Sequence, residues 1–411
     1  MMLLLALTSF GGAPAQAENE WAAKRFEIGG FGTLGLARTD TNDAQYVRDQ
    51  TQPDGIGKNF SGKLDSLVGL QANFRATDSL DLVVQAISRY GPRGDYHPEV
   101  SWAFAKYDFT PNLTGRIGRM GTEFYLLADS RHVGYSYLTV RPPVDFFGVL
   151  AFHHVDGVDL TGSAVVGDGV LKGKMFAGQA NELAPIGREF LSLRGNPLAG
   201  FYVDYQAGPW QWRATAAQMR FKHDLPSPVT DLRSGLSQMG AFFSGANTAA
   251  DALALKNTTS RFYSLGAVYD NGPLQVQAML SQLQHESLSY QNSNGGYLLA
   301  GYRFGQVTPF AGYSWTQSKS RQLSSGFPSF DVMSATLNAG LAASLARVHT
   351  HQQTYTAGAR WDFRQDMALK AQLDMIRGKP ESIFLYPMPN TTNTAFDGKL
   401  NVFSLSLDFV F

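Results

Sequence analysis

The sequence predicts an all-β fold: a membrane-crossing, closed antiparallel barrel of about sixteen strands with one long loop turned into its lumen. Three observations carry this. Amphipathic stretches of roughly 9 to 14 residues recur with a period of two, the spacing of a β-strand with unlike faces. The connections between them alternate between very short and long, which sorts them to opposite ends of a barrel. The final stretch, NVFSLSLDFVF, alternates to its last residue and ends on an aromatic ring.

Composition narrows the classes. Lys+Arg 34 balance Asp+Glu 34, so no net field would draw nucleic acid, and no nucleic-acid partner is expected. Cysteine is absent, which removes disulfides and thiolate metal sites; no cofactor or metal is expected. No run in the main body approaches the ~18–20 apolar residues of a membrane helix. A barrel escapes that test because alternation averages its hydropathy. At the start, LLLALTSF followed by GGAPAQA reads as a secretory signal with a cleavage site around Ala15 and Ala17. Residues 1–17 are therefore expected to be a signal peptide, although nothing basic precedes Leu3, and residues 18–411 a single barrel domain.

The strands follow in order. KLDSLVGLQANFRA sets Leu64, Ser66, Val68, Leu70, Ala72 and Phe74 against Lys63, Asp65, Gln71, Asn73 and Arg75. After the turn TDS, LDLVVQAISRY sets Leu80, Leu82, Val84 and Ala86 against Asp81, Gln85 and Arg89. LQVQAML alternates Leu274, Val276, Ala278 and Leu280 with Gln275 and Gln277. TYTAGARWDF and MALKAQLDM continue the rhythm, with Arg360, Asp362, Lys370, Gln372 and Asp374 on the polar side. In the last strand Phe403, Leu405, Leu407, Phe409 and Phe411 face lipid, while Ser404, Ser406 and Asp408 face water and the strand closes against FEIGGFGTLGL.

Turn-forming TDS, TPN, GDG, GPW, NGP, GQV and RQD mark one end. Long polar or Gly-rich segments at 38–59, 121–150, 182–196, 223–258, 318–347 and 379–396 mark the other. Trp210, Trp212, Tyr269, Phe304, Trp361 and Phe363 sit beside short turns as a lower aromatic girdle, and Tyr313, Trp315 and Tyr355 form an upper one. EVSWAFAKYDF is apolar on both parities, which suits either a subunit contact or a crowded lumen wall. ADALALK and MSATLNAGLAASLARV read as helices within loops; a hairpin hidden in the second would raise the count to eighteen.

Other chemistries are weaker. GFGTLG at Gly30 to Gly35 matches a dinucleotide fingerprint in letters, but no amphipathic helix follows to meet a pyrophosphate. His153 with His154, and His349 with His351, lack a third ligand at useful spacing and read as rim histidines. An outer-membrane barrel hydrolase is the alternative of a different class. YQNSNGG has no histidine before Ser293, and no nucleophile elbow appears, so no catalytic residues are assigned.

The segment TEFYLLADSRHVGYSYLTVRPPVDFFG is too rich in Phe and Tyr for an exposed loop and has apolar area to bury against the inner wall. With the signal peptide, the strand rhythm, GRIGR before this loop and the terminal Phe411, the chain resembles the Gram-negative general porins. That resemblance implies a sixteen-stranded homotrimer of the cell outer membrane, in contact with membrane lipid and lipopolysaccharide and inserted by the barrel assembly machinery. It also implies a water-filled channel for passive diffusion of small hydrophilic solutes and ions, or, as the runner-up, a porin selective for sugars, phosphate or dicarboxylates. Parity puts Lys63, Arg75, Arg89, Arg116, Lys172, Lys174, Arg213, Arg303, Arg360 and Lys370 on the lumen wall, with Asp65, Asp81, Asp204, Asp362 and Asp374. The resemblance further implies a constriction in which Glu123, Asp129 and Arg131 of the loop face Lys63, Arg75 and Arg89, and an assembly signal in Phe403, Leu405, Leu407, Phe409 and Phe411. The family's acidic PEFGGD-like motif is missing and Arg131 and Arg141 intrude, so its cation preference is not carried over. The basic surplus on the wall instead points to a weak anion preference.

Overall fold

The computed structural model describes residues 25–128, 130–186, 189–319, 322–347, 349–379, 388–389 and 396–411. The expected signal peptide and Asp129 lie outside them. Sixteen strands close into one barrel. They are β1 (Phe26–Thr39), β2 (Leu67–Thr77), β3 (Leu80–Arg89), β4 (Glu99–Thr110), β5 (Leu113–Gly121), β6 (His154–Val166), β7 (Gly169–Ala180) and β8 (Asn196–Ala207). The second half comprises β9 (Trp210–Arg220), β10 (Thr259–Asp270), β11 (Leu274–His285), β12 (Ser293–Tyr302), β13 (Val307–Ser318), β14 (His351–Arg364), β15 (Met367–Gly378) and β16 (Lys399–Val410). Each pairs antiparallel with its neighbours in the chain, and β1 pairs with β16 from Phe31↔Val410 to Thr39↔Val402. Closure leaves no unpaired edge, the condition for a sheet to stand in hydrocarbon.

Tight turns such as 78–79, 167–168 and 365–366 lie at the end that holds β1's start and Phe411; the long connections lie at the other. The ambiguous MSATLNAGLAASLARV is helix, so the count stays at sixteen. Among the described residues four α-helices sit in the loops: α1 (Val144–Phe147), α2 (Val229–Met239), α3 (Ser244–Ala252) and α4 (Val332–Arg347). ADALALK is helical only in its first residues, because α3 ends at Ala252.

The outer face follows the alternation. Leu34, Leu70, Val84, Ile117, Leu265 and Leu280 are exposed, as are Phe403, Leu405 and Phe411. Near the tight turns, Trp210 stacks on Trp212 at 5.5 Å, and Trp361 lies 5.4 Å from Phe363, forming the lower girdle. Tyr313 and Tyr355, nearer the long loops, are 5.1 Å apart. The doubly apolar EVSWAFAKYDF is resolved by a bulge. Register shifts where Gln85 pairs with Trp102 but Ala86 with Val100, leaving Ser101 as the extra residue. Val100, Tyr107 and Phe109 are exposed, whereas Ser101 Oγ reaches inward to Gln85 Oε1 at 2.8 Å. The inner face of the stretch, with Ser101 and Trp102, is thus part of a crowded lumen wall.

Candidate functional site in the barrel lumen

The connection between β5 and β6, described at residues 122–128 and 130–153, lies inside the barrel and divides it. Its apolar half packs on the inner faces of β7 to β13. Phe124 stacks on Phe176 and Phe262 with centroids 5.5 and 5.8 Å apart, and Phe146 meets Tyr297 at 5.1 Å. Tyr125, Leu126, Leu138 and Phe147 join Met279, Leu299 and Phe310 in the same buried cluster. Each such side chain contributes ~1.5–3 kcal/mol on leaving water, so this side of the lumen is held shut by an ordinary apolar core.

The polar half is locked by charge and backbone contacts. Arg141 Nε and Nη2 donate to the Asp65 carboxylate at 2.9 and 2.7 Å, and Nη1 donates to Asp374 at 2.8 Å. Lys370 Nζ donates to the carbonyls of Gly134 and Thr139 at 2.7 and 3.0 Å and pairs with Asp408 at 3.0 Å. Arg360 Nη1 donates to Tyr137 O at 2.8 Å, and Tyr135 reaches the β14–β15 turn through a 2.7 Å bond to Gln365 O. Asp145 accepts from Ser314 Oγ at 2.7 Å on β13. Contacts therefore run from β5 round to β16, and the loop crosses the lumen.

The expected wall residues fall into distinct places. Arg116 and Lys174 converge on Glu123 at 2.7 Å each, with Asp159 and the Tyr202 hydroxyl completing the cluster. Burial alone would raise the Glu123 carboxyl, but the Lys174 and Arg116 charges outweigh it and hold the group well below the usual range. Arg213 pairs with Asp204 at 2.6 Å and donates to Tyr125 O at 2.6 Å. Arg360 pairs with Asp362 at 2.7 Å. Lys172 shares the inward parity of Lys174 and is half-buried.

Two expectations are corrected. Arg303 lies in the exposed turn after β12, not on the lumen wall, because β12 ends at Tyr302. Glu123 does not face Lys63, Arg75 and Arg89. Lys63 precedes β2 in the first long loop and pairs with Asp54 at 3.0 Å. Arg75 pairs with Asp81 at 3.4 Å beside a tight turn. Arg89 ends β3 on the long-loop side and meets Glu99 at 3.1 Å and Asp49 at 3.9 Å. Asp65 likewise belongs to the first long loop, ahead of β2. Parity names the side of a strand but not the depth along it.

Arg48 and His132, with His153 and His154 that read as rim histidines, gather beside Arg89 and Arg131. Arg48 donates to Arg131 O at 3.1 Å. His132 and His153 stand edge to face, 5.2 Å apart, and His154 Nδ1 lies 2.9 Å from Glu182 Oε1. Burial, then the charges of Arg89, Arg131 and Arg48, hold both His132 and His153 well below the ordinary imidazole range. For His132 the sequence signal was the cations of a loop with apolar area to bury, and for His153 and His154 it was their adjacency. Among the described residues, no cluster of ligating side chains could hold a metal ion.

No protein-family model matches the chain. No curated protein matches it either. Solved structures do. A loop L8 deletion mutant of OmpT, an outer membrane protein of Vibrio cholerae, is similar with a TM-score of 0.53 and 13% identity, over 94% of this chain and 100% of that one. The anion-selective porin from Comamonas acidovorans gives 0.54 and 11%, covering 94% and 99%. Salmonella typhi OmpF, in a complex with daunomycin, gives 0.56 and 11%, covering 94% and 97%. At these identities the likeness is one of fold. The fold is that of the outer-membrane porin barrels, here with sixteen strands.

Proposed function

We infer that the protein is a porin that lets small hydrophilic solutes and ions diffuse passively across a Gram-negative outer membrane. One observation carries the reading: the inner loop seals the β7–β16 side, while charged wall residues facing the opposite side stay solvated. Arg75 keeps 54% of its side chain exposed, Lys106 36%, Asp108 32% and Asp81 25%. Opposed charges along a wet wall favour dipolar solutes and penalise apolar ones. A weak anion preference remains part of the reading on narrower grounds, because Arg116, Lys174, Arg213, Arg360 and Lys370 are matched by acids. It rests on Arg131 and Lys172. The exposed apolar face supports contact with membrane lipid and lipopolysaccharide, and a homotrimer is the assembly we assign. The terminal strand, with Phe403, Leu405, Leu407, Phe409 and Phe411 on its outer face, is read as the signal for the barrel assembly machinery. Swelling of liposomes that contain the purified protein, in sugars of graded size, tests the function. Rates that fall steadily with sugar size are expected; no swelling in any sugar would overturn it.

A further inference from the structure

Where the inner loop leaves the apolar side, Ala128, Arg131, His132 and Val133 face Phe31, Gln85, Ser101, Trp102 and His153 across a small cavity. Four buried nitrogens around it have no hydrogen-bond partner among the described residues: Arg131 Nη1, His132 Nδ1, His153 Nδ1 and His154 Nε2. Arg131 is 7% exposed, His153 9% and His154 8%. Nearby carboxylates do not satisfy them, since each is engaged elsewhere. Glu99 accepts from Arg89 Nε at 3.1 Å, Glu182 accepts from His154 N at 2.8 Å and meets its Nδ1, and Asp49 accepts from Thr51 N at 2.9 Å. Buried polar atoms are rarely left unpaired, and four such nitrogens, the Arg131 Nη1 donor among them, converge on one cavity beside two aromatic rings, which suits it to a polar ligand.

We propose that this niche binds a small carboxylate solute on its way through the lumen. The carboxylate oxygens accept from Arg131 Nη1 and from the N–H that His132 or His153 presents, while the solute's apolar body lies against Phe31 and Trp102. A guanidinium suits a carboxylate because its fork matches two oxygens. The aromatic flank favours an alkyl carboxylate over inorganic phosphate, which has no apolar side. The proposal rests on the channel reading for its route of access, yet binding itself does not require transport.

Planar-bilayer currents of the full chain in sodium propionate test it. In the unmodified protein the current should saturate with propionate concentration, and the half-saturating concentration should rise at least tenfold in both Arg131→Gln and His153→Gln. A current that grows linearly in the unmodified protein, or saturation unchanged in both variants, overturns the site. Calorimetric titration of the detergent-folded full chain separates the two readings, with heat-modifiable migration confirming that each variant folds. Propionate binding that Arg131→Gln weakens, without current in any salt, keeps the niche and overturns the channel. Current without propionate binding does the reverse. Phosphate bound as tightly as propionate overturns the carboxylate assignment.

Discussion

The ring of Phe411 lies over Gly30 across the barrel seam, and the two residues exchange main-chain hydrogen bonds, Gly30 N to Phe411 O at 2.9 Å and Phe411 N to Gly30 O at 3.0 Å. A Cβ at position 30 would meet Phe411 Cε1 at 2.9 Å and the Gly69 carbonyl oxygen at 2.8 Å. Gly32 makes the same room for the ring of Phe409. The glycines of GFGTLG thus serve closure rather than a nucleotide.

Gly30→Val should therefore loosen the seam. The ring can swing aside, but the backbone oxygen of Gly69 cannot, so a cost of about 1–3 kcal/mol is expected. Urea unfolding of the vesicle-refolded protein, followed by heat-modifiable migration, should show a lower midpoint. An unchanged midpoint would mean that β1 does not meet its neighbours β2 and β16 at this register.

Arg141→Gln should free the loop from the β15–β16 wall. Arg141 is the buried cation between Asp65 and Asp374, with only 1% of its side chain exposed. Taking it away leaves two buried carboxylates facing each other, at a cost of ~3–5 kcal/mol. The expected readouts are a lower unfolding midpoint and protease cleavage within residues 130–145; full resistance to cleavage would contradict the lock.

Glu123→Gln should make the lumen more favourable to anions. The carboxylate neutralises Lys174 and Arg116 together, and Asp159 alone remains once it is removed. Reversal potentials in a salt gradient should shift toward the anion's equilibrium potential. No shift would show that this cluster lies off the conducting path.

Acid should weaken the loop's hold at the histidine pair. His132 and His153 sit well below their ordinary value of about 6.5, because burial and the surrounding arginines disfavour the imidazolium. The unfolded chain then binds more protons than the folded one below about pH 6.5, so stability from this pair is complete above that pH and falls as pH drops through it. Unfolding midpoints should decline between pH 7 and pH 5, and His132→Gln combined with His153→Gln should flatten that decline. An equal decline in the double variant would assign the effect to other groups.

How much of this was legible in the residues follows from what alternation encodes. Water on one side and lipid on the other force a period of two, so strands such as LQVQAML and the final FSLSLDF announce themselves. The inward loop was legible because Phe124, Tyr125, Phe146 and Phe147 need burial. Depth was not legible. Arg75 and Arg89 share a face, yet Arg89 stands at the far end of a hairpin arm about 30 Å long. Nor were the partners legible, since Arg141 meets Asp374 across 233 positions of chain. The bulge at Ser101, opposite Gln85 and Ala86, was not legible, and it turns Ser101 inward beside Trp102 at the niche near Arg131.

Single-channel recording of the purified protein in planar bilayers tests the central claim most directly. A water-filled path beside the loop predicts discrete, voltage-independent openings in potassium chloride, with larger or noisier currents in Arg141→Gln as the loop comes free. A barrel that folds, shifts on heating as folded barrels do, and yet passes no current in either form would contradict it.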